Sequence, residues 1–389
     1  MTTSPDTAAY AELRDRISTA IWGKLDPLAD LIEDQERIPH DVVWPVLRDC
    51  GALGLLVPRE YGGYGLTIGQ YLPIIAEFAK VHGGIRAMVH VHNSFAHALT
   101  EIGDAGQKSS ILPGTATGEK SVAFALTEPD HGTGADLGTT ARRENGHYVI
   151  DGTKWLITNS DFASHFIVMV KTAPAQVSAL LVERDAPGLS IERLPETMGC
   201  KGGEHGQLTF TRVRVPASAL IGAEGQGQEH LERALEISRV LVAASSLGTA
   251  ERALELSVRR ARERVTFGKP IADRQAVQRY IAEMATDVYA LRGILADAAA
   301  KWDAGRRIPA EASMCKQFAL EAVGRVTDRA LLVHGGIGYT RQFPVERLYR
   351  DARLNWLEEG TPTIQYMVAA KEVLAGYEFD DAFGRPGRA

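Results

Sequence analysis

The sequence lacks the features that mark several large classes of protein. Its 389 residues contain three cysteines, Cys50, Cys200 and Cys315, whose spacing fits neither a disulfide framework nor a zinc site. No apolar run is long enough to span a bilayer. Residues 1–14 have neither the apolar stretch of a secretory signal nor the arginine-rich, acid-poor composition of a transit peptide. We therefore expect a cytoplasmic protein without a membrane partner.

The chain also lacks a positive charge balance and the common nucleophile motifs. The formal net charge is -6 at pH 7, which disfavours nucleic acid as a main partner. There is no Gly-x-Ser-x-Gly elbow and no Cys/His pair that would supply a nucleophile. His90, His92 and Asn93 form a polar cluster, but no acidic or cysteine partner lies at a metal-ligand spacing. We interpret this cluster as structural and predict no metal site.

What remains is the composition of an ordinary folded protein. Hydrophobic residues make up 45 % of the chain and charged residues 24 %. A chain of this length can bury a substantial core, and we expect it to divide into two or three subdomains.

Hydrophobic periodicity divides the chain into three parts. Residues 1–118 are predicted to form a helical domain, because apolar residues recur at helical spacing through most of this region. In residues 119–225, apolar and polar residues alternate, which predicts a β domain. In residues 226–389 the apolar residues return to helical spacing, as a helical bundle requires. The longest predicted helices cover residues 39–56, 67–78, 87–101, 229–261, 275–303 and 310–333.

The middle region contains the clearest local signal. Asn145-Gly146 lies between two alternating segments, and both of these residues favour the positive φ of a hairpin turn. A doubly wound fold does not have this order of helices, β domain and helical bundle. No dinucleotide-binding glycine fingerprint follows a strand either. The fold class is therefore mainly α with a central β domain. Strands are predicted at residues 121–127, 139–143, 147–150, 166–170, 179–182 and 208–215.

The stretch around Glu359 is the most informative for chemistry. Thr361 is a suitable N-cap and Pro362 a suitable first residue for a C-terminal helix, so Glu359 would lie near the positive end of its dipole. Gly360 allows another group to approach the backbone closely. The alternative is that Glu358 and Glu359 only complement the helix dipole.

Three further segments offer groups that suit a phosphate-bearing ligand. Arg264 precedes a glycine turn between two helices, and a guanidinium binds phosphate through a forked set of donors. Residues 334–339 end a helix in a glycine-rich run, and residues 127–134 follow a strand and carry hydroxyls. Taken alone, each segment is also typical of an ordinary turn or helix end.

The order and spacing of these segments resemble the acyl-CoA dehydrogenase family from about residue 10 to residue 378. Thr127-Glu128-Pro129 resembles the family's first signature. Five matches in the same order make a chance similarity hard to sustain. The matching segments are residues 127–129, 145–159, 210–216 with 222–227, 264–271 with Gln275, and 335–339 with Arg347, 350–353 and 359–361.

The resemblance implies a fold and a cofactor. The fold is an N-terminal helical domain, a β-barrel or sandwich domain and a C-terminal four-helix bundle, assembled as a homotetramer or homodimer. FAD would lie between the β domain and the bundle. Within one subunit, the implied FAD contacts are Phe124, Leu126, Thr127, Thr133, Leu156, Thr158, Thr361 and Thr363, and Leu332 would lie on the adenine side. Five further residues would reach the FAD of a neighbouring subunit: Arg264, Phe267, Gln275, Gly335 and Gly336.

The resemblance also implies a reaction in fatty acid metabolism. Glu359 would remove the proton alpha to a thioester carbonyl while a hydride leaves the beta carbon for flavin N5, which gives the 2,3-enoyl thioester. Some family members place the base on the long bundle helix, where this chain has Ser238, so Glu359 is the candidate base. The carrier would be CoA or acyl carrier protein, and the acceptor an electron-transfer flavoprotein or similar protein. The implied substrate contacts are Thr133, Glu236, Arg239 and Gly360.

Several positions around the expected flavin and acyl pocket depart from the family pattern. Because of these departures, the sequence does not predict the length or branching of the acyl group. His131 stands where a small residue is usual, and Gly203 stands where serine is frequent. The other departures are Leu156 in place of an aromatic residue, Leu332 in place of glutamine, and Glu358 in place of tyrosine.

Two other functions compete with the dehydrogenase. A flavin-dependent monooxygenase on the same fold would need no base at the alpha carbon, so the presence of Glu359 counts against it. A non-enzymatic flavoprotein that binds nucleic acid or a protein partner is opposed by the acidic net charge.

Overall fold

A computed structural model of the chain describes residues 7–131, 136–194, 197–203 and 205–379. Helices come first, a sheet follows, and a second set of helices completes the chain. This order confirms the predicted fold class. The sheet ends with Ile221 and the first bundle helix begins at Gly227, while the domain boundaries at residues 118 and 225 stay a prediction.

Two of the N-terminal helices begin at residues whose side chains cap them. Thr67 and Asp104 each accept a hydrogen bond from the N–H three residues later, and Gln70 and Gln107 return the bond in two capping boxes. The helices are α1 (Thr7–Ala20), α2 (Ala29–Gln35), α3 (His40–Cys50), α4 (Ile68–Val81), α5 (Gly83–Ile102) and α6 (Ala105–Thr117), with a π turn at Ile21–Leu25 and a 3-10 turn at Asp26–Leu28 between the first two.

In the described part of the middle region, eight strands form a mixed sheet. Their order is β6-β7-β3-β2-β4-β5-β8, and β1 pairs in parallel with β4. Asn145 and Gly146 have φ of 49° and 77°, which confirms the predicted hairpin between β2 and β3. The strands are β1 (Val122–Ala125), β2 (Thr140–Glu144), β3 (His147–Ile157), β4 (His165–Ala173), β5 (Gln176–Glu183), β6 (Leu189–Arg193), β7 (Gly206–Pro216) and β8 (Leu220–Ile221).

Long helices form the C-terminal bundle. The predicted segments 229–261, 275–303 and 310–333 agree with the observed helices to within two residues. A short hairpin, β9 (Val265–Thr266) with β10 (Lys269–Pro270), joins the first two. The helices are α7 (Gly227–Glu263), α8 (Gln275–Asp303), α9 (Pro309–His334), α10 (Val345–Asn355) and α11 (Pro362–Leu374). Among the residues described, no helix has both the length and the apolar character needed to cross a membrane.

Two buried carboxylates connect the layers and position the site. Lys154 on β3 donates to Glu128 Oε1 at 2.7 Å and to the carbonyl oxygen of Leu126, which ties the end of β1 to β3. Burial lowers the pKa of Lys154 to about 8, although Glu128 favours its charged form. Asp351 on α10 accepts from the backbone N–H groups of Gly83 and Cys200 and so fixes α10 against the start of α5. Two of the segments that carry the family resemblance thus contain a structural carboxylate, Glu128 in an ion pair and Asp351 as a backbone anchor.

Candidate active site

A cavity of about 640 Å³ lies between the β domain and the bundle. Its wall is built from α5, the ends of β1 and β3, α7, α10 and the segment that joins α10 to α11. Nine of the residues predicted for the site line this wall: Phe124, Leu126, Thr127, Leu156, Thr158, Arg239, Glu359, Gly360 and Thr361.

The turn that carries Glu359 is held in a strained conformation. Glu359 has φ of 54° and Gly360 has φ of 93°, and the first of these is costly for a residue with a Cβ. Lys316, buried on α9, donates to the carbonyl oxygens of Glu358 and Gly360. Gln365 on α11 donates to the carbonyl oxygens of Glu359 and Gly360 at 3.1 and 2.9 Å. The peptide groups on both sides of Glu359 are therefore fixed by side chains from two helices.

The carboxylate of Glu359 is nearly buried and surrounded by polar partners. Its side chain is 12 % exposed. Ser238 on α7 donates to Glu359 Oε1 at 2.9 Å, and His90 Nε2 on α5 lies 3.8 Å from the same oxygen. Burial raises the pKa of Glu359, but His90, Ser238 and the charge of Lys316 together outweigh it and hold the pKa below its usual value. These partners favour the ionised form of the carboxylate, which is the form that can accept a proton.

Glu358, the adjacent carboxylate, has different partners. Arg86 on α5 is buried, and its Nη1 lies 3.0 Å from Glu358 Oε1. Arg86 Nη2 also donates to Asn355 Oδ1 at 2.9 Å, and Asn355 in turn donates to Ser246. Glu358 is thus one half of a structural ion pair, which the helix-dipole alternative did not predict.

The β side of the cavity also contains an unusual backbone position. Leu156 has φ of 55° at a register irregularity of β3 and is 42 % exposed toward the cavity. Next to it, the Trp155 N–H donates to the Thr127 carbonyl at 2.8 Å. Thr158 Oγ1 lies 3.1 Å from His205 Nδ1. The irregularity therefore exposes an apolar side chain and a hydroxyl to the same cavity.

Six predicted cofactor residues lie elsewhere in the chain. They are exposed at the end of α7, on the β9–β10 turn, at the start of α8 and at the end of α9, and none lines the cavity. Phe267 is 95 % exposed, in the left-handed region at φ of 51°, with the Arg274 guanidinium over its ring at 5.2 Å. The contact of Leu332 with the adenine side of the cofactor, and that of the other five with the cofactor of a neighbouring subunit, stay predictions. The six are Arg264, Phe267, Gln275, Leu332, Gly335 and Gly336.

Three other predicted residues also lie away from the cavity wall or outside the description. Glu236 is buried, and its carboxylate accepts from the Arg307 side chain and from the Ile308 backbone N–H at the start of α9. This placement gives Glu236 a structural partner where a substrate contact was expected. Thr363 is exposed in the first turn of α11 and does not line the cavity. Thr133 lies outside the described residues.

Sequence reasoning missed two residues close to Glu359, which are His90 and Lys316. In the cluster that was interpreted as structural, His92 contacts the Thr115 carbonyl and Asn93 bonds to the backbone around Ala52, as expected of structural residues. His90 instead lies beside Glu359. No local signal could show this, because the pattern of α5 does not reveal which face meets a turn far along the chain.

Comparison with known proteins shows the family of the chain. Models of the N-terminal, middle and C-terminal domains of acyl-CoA dehydrogenase match residues 7–119, 123–213 and 225–374. The chain belongs to the acyl-CoA dehydrogenase family. It is an oxidoreductase, and members of this family are flavoproteins. The matches therefore confirm the resemblance and the class of enzyme.

Individual members of the family resemble the chain over most of its length. An acyl-CoA dehydrogenase of Bacillus subtilis (strain 168) is 36 % identical over 359 residues, which cover 91 % of this chain and 94 % of that protein. An acryloyl-CoA reductase (NADH) of Anaerotignum propionicum is 37 % identical over 358 residues, 90 % of this chain and 91 % of that one. The structure of butyryl-CoA dehydrogenase from Megasphaera elsdenii matches with a TM-score of 0.91 at 29 % identity, covering 96 % of this chain and 100 % of that one.

Proposed function

We propose that the protein catalyses FAD-dependent α,β-dehydrogenation of an acyl thioester, with Glu359 as the base that takes the α-proton. The observation that carries this proposal is the carboxylate of Glu359, held by Ser238 on the wall of a large, mainly apolar cavity. A general base must be unprotonated and within reach of its proton, and a cavity of this kind suits an acyl chain.

The residues on the cavity wall fit a flavin. Leu156, Met198 and Leu357 are exposed there, and a planar ring system would cover such apolar side chains. Thr127 and Thr158 add hydroxyls beside them. We propose that these residues hold FAD together with Phe124, Leu126 and Thr361, and that Arg264, Phe267, Gln275, Gly335 and Gly336 complete the site from a neighbouring subunit. When bound, FAD would be the electron acceptor of the reaction.

The chain's own groups would bind and orient the thioester. Lys316 and Gln365 fix the carbonyl groups around Glu359, and we propose that the Glu359 N–H, held in this way, donates to the thioester carbonyl. A hydrogen bond to that oxygen makes the α-proton more acidic. The Glu359 carboxylate then accepts this proton. Arg239, buried on the wall with its Nε 3.5 Å from the Glu359 carbonyl, adds a positive charge beside the turn.

The proposal also includes the carrier of the thioester and the acceptor of the electrons. We propose acyl-CoA as the substrate, with acyl carrier protein as the other possible carrier, and an electron-transfer flavoprotein or similar protein as the acceptor. A monooxygenase would leave the ionised carboxylate of Glu359 without a role, so the dehydrogenase is the better supported function.

The decisive experiment is anaerobic flavin reduction by a panel of short, branched, aromatic and long acyl-CoAs. At least one should bleach the flavin without NADH. Glu359→Gln keeps the volume of the side chain but cannot accept the proton, so flavin and thioester binding should survive while the reduction rate falls by at least ~10³-fold. Equal rates in this variant and the wild type would end the proposal and favour the monooxygenase.

A further inference from the structure

Thr158 and His205 meet across two strands on the β side of the cavity. The register of β3 and β7, in which Ile157 pairs with Gly206, places Thr158 opposite His205. His205 Nδ1 lies 3.1 Å from Thr158 Oγ1, and both residues line the cavity. Among the residues that the structure describes, this imidazole is the only hydrogen-bond partner of the Thr158 hydroxyl. The two side chains therefore form a cross-strand pair beside the place proposed for the flavin.

The backbone on both sides of Thr158 is left-handed. Leu156 has φ of 55°, which is rare for a residue with a large side chain, and Asn159 has φ of 65°, which asparagine tolerates more readily. Asn159 is buried and donates through its side chain to the Met88 carbonyl oxygen at 3.2 Å, which attaches the end of β3 to α5. Strained backbone persists only where the surrounding structure maintains it, and it is concentrated at functional sites. The fold therefore sets where Thr158 stands on the cavity wall.

The backbone alone does not decide which group of Thr158 faces its neighbours. Threonine carries a methyl group and a hydroxyl on its Cβ, and rotation about χ1 exchanges their positions. One net hydrogen bond favours one rotamer over another by about 3- to 10-fold. A hydroxyl has one donor and two acceptor sites, so a bond to His205 leaves it able to bind a ligand as well. The imidazole therefore selects the rotamer of Thr158 without using up its hydroxyl.

Packing alone does not account for His205. The residue is half-buried, and it lines a second, smaller cavity of about 250 Å³ whose wall includes Arg184 and Arg193. A side chain that borders two cavities does not fill an apolar core. Burial lowers the pKa of His205, while the charge of Glu358 opposes this shift and that of Arg86 reinforces it. A neutral imidazole has one N–H and one lone pair, either of which can bond to a hydroxyl.

We propose that His205 is a positioning residue of the flavin site, which holds the Thr158 hydroxyl in the rotamer that meets the cofactor. This inference rests on the proposed FAD contact of Thr158. His205 acts through that hydroxyl and not on the thioester, so it contributes to retention of the cofactor and not to removal of the α-proton. Without the imidazole, the threonine methyl group can take the place of the hydroxyl, and the cofactor loses a hydrogen-bond partner.

The test is the dissociation constant of FAD, measured at a single pH from the flavin fluorescence released on serial dilution of the holoenzyme. His205→Leu removes the polar ring and should raise this constant by about 3- to 10-fold, because the rotamer of Thr158 is no longer selected. His205→Asn keeps a polar atom at the position of Nδ1 and should retain most of the affinity. His205→Gln places its polar end further along the side chain, as Nε2 is, and should behave like His205→Leu.

Combination with Thr158→Val shows whether the imidazole acts through the hydroxyl. Valine has the shape of threonine without the hydroxyl, so Thr158→Val alone should weaken FAD binding by a similar factor. It should also change the absorption spectrum of the bound flavin in the same way as His205→Leu. In the Thr158→Val background, His205→Leu should have no further effect, because the group that the imidazole holds is absent.

His165→Leu is the matched control. His165 lies on β4 of the same sheet, and its Nδ1 also contacts a hydroxyl, that of Ser164 at 2.9 Å, but it does not line the cavity. The control variant should keep the wild-type dissociation constant and spectrum. If His205→Leu does not fold, His205→Gln in the two Thr158 backgrounds gives the same comparison.

Four outcomes would overturn the inference. They are an unchanged dissociation constant in His205→Leu, a loss in His205→Asn as large as in His205→Leu, a similar loss in His165→Leu, and an equal effect of His205→Leu with and without the Thr158 hydroxyl. The last of these would make His205 a direct contact of the ligand or a support of the sheet. If Thr158→Val itself leaves FAD affinity unchanged, the proposed FAD contact of Thr158 is wrong and the inference falls with it. The role of Glu359 is tested separately by Glu359→Gln.

Discussion

At the scale of single residues, two adjacent carboxylates differ because their neighbours differ. Glu358 faces the buried guanidinium of Arg86, and Glu359 faces the hydroxyl of Ser238 and the imidazole of His90. The positions of the two carboxylates in the sequence could not predict these partners, since both lie in the same turn before the same helix. The local conformation separates them, because the positive φ of Glu359 turns successive side chains in different directions.

Glu358→Gln should therefore act on stability more than on catalysis. The amide keeps an oxygen near Arg86 but loses the charge, and a hydrogen bond to a charged group contributes about 2 kcal/mol. We expect the free energy of unfolding to fall by about this amount in urea titrations, while flavin reduction stays within a few-fold of the wild type. Glu60→Gln, at an exposed position, is the control and should change neither quantity. A loss of reduction comparable to that of Glu359→Gln would contradict this assignment.

At the scale of elements, α7 and α4 approach each other closely at a glycine. A Cβ at Gly248 on α7 would stand 1.8 Å from the backbone carbonyl oxygen of Ala76 on α4. The contacted atoms are backbone atoms, so no side-chain rotation could relieve the overlap. The close packing of these helices places α7 so that Ser238, almost three turns earlier, can reach Glu359.

Gly248→Ala should push the two helices apart. The overlap should cost about 2 kcal/mol of the free energy of unfolding, in spite of the better helix propensity of alanine. Gly293→Ala on α8 is the matched control, because nothing lies within 4 Å of its added Cβ. The control should leave stability unchanged or raise it by up to ~1 kcal/mol. Thermal and urea unfolding of both variants measure the difference, and equal stabilities would show that α7 and α4 can separate freely.

At the scale of the whole molecule, the predicted cofactor residues fall into two separate groups. One group lines the cavity, and the other is exposed on the turn after α7 and at the end of α9. A single copy of the chain does not bring the second group to its own cavity. A subunit assembly in which one copy completes the site of another would reconcile the two groups.

Arg264→Ala should accordingly weaken both FAD retention and the oligomer. A charge-assisted contact of a guanidinium with a phosphate contributes on the order of 2 kcal/mol. The flavin released by heat is identified by chromatography, and size-exclusion chromatography reports the oligomer. Arg143→Ala, which removes an exposed arginine from the β domain, is the control. Full retention of FAD with unchanged elution would leave Arg264 as a turn residue, and recovery of FMN would refute its assignment to a pyrophosphate.

Much of the secondary structure could be predicted because its causes are local. Capping residues, helical periodicity and the Asn145-Gly146 turn act over a few neighbouring positions, and the bundle helices and the hairpin were predicted on that basis. Strand β6 was not predicted, since it is a mostly exposed edge strand with a weak hydrophobic pattern.

The sequence by itself determined most of the elements, their order and the family, and it indicated Glu359 as the candidate base. Only the tertiary structure decided that His90, Ser238 and Lys316 surround that residue and that Arg86 holds its neighbour. The reason is physical. A helix pattern shows which face is apolar, but contacts between residues far apart in the chain depend on how whole helices pack, and no short stretch of sequence encodes that packing.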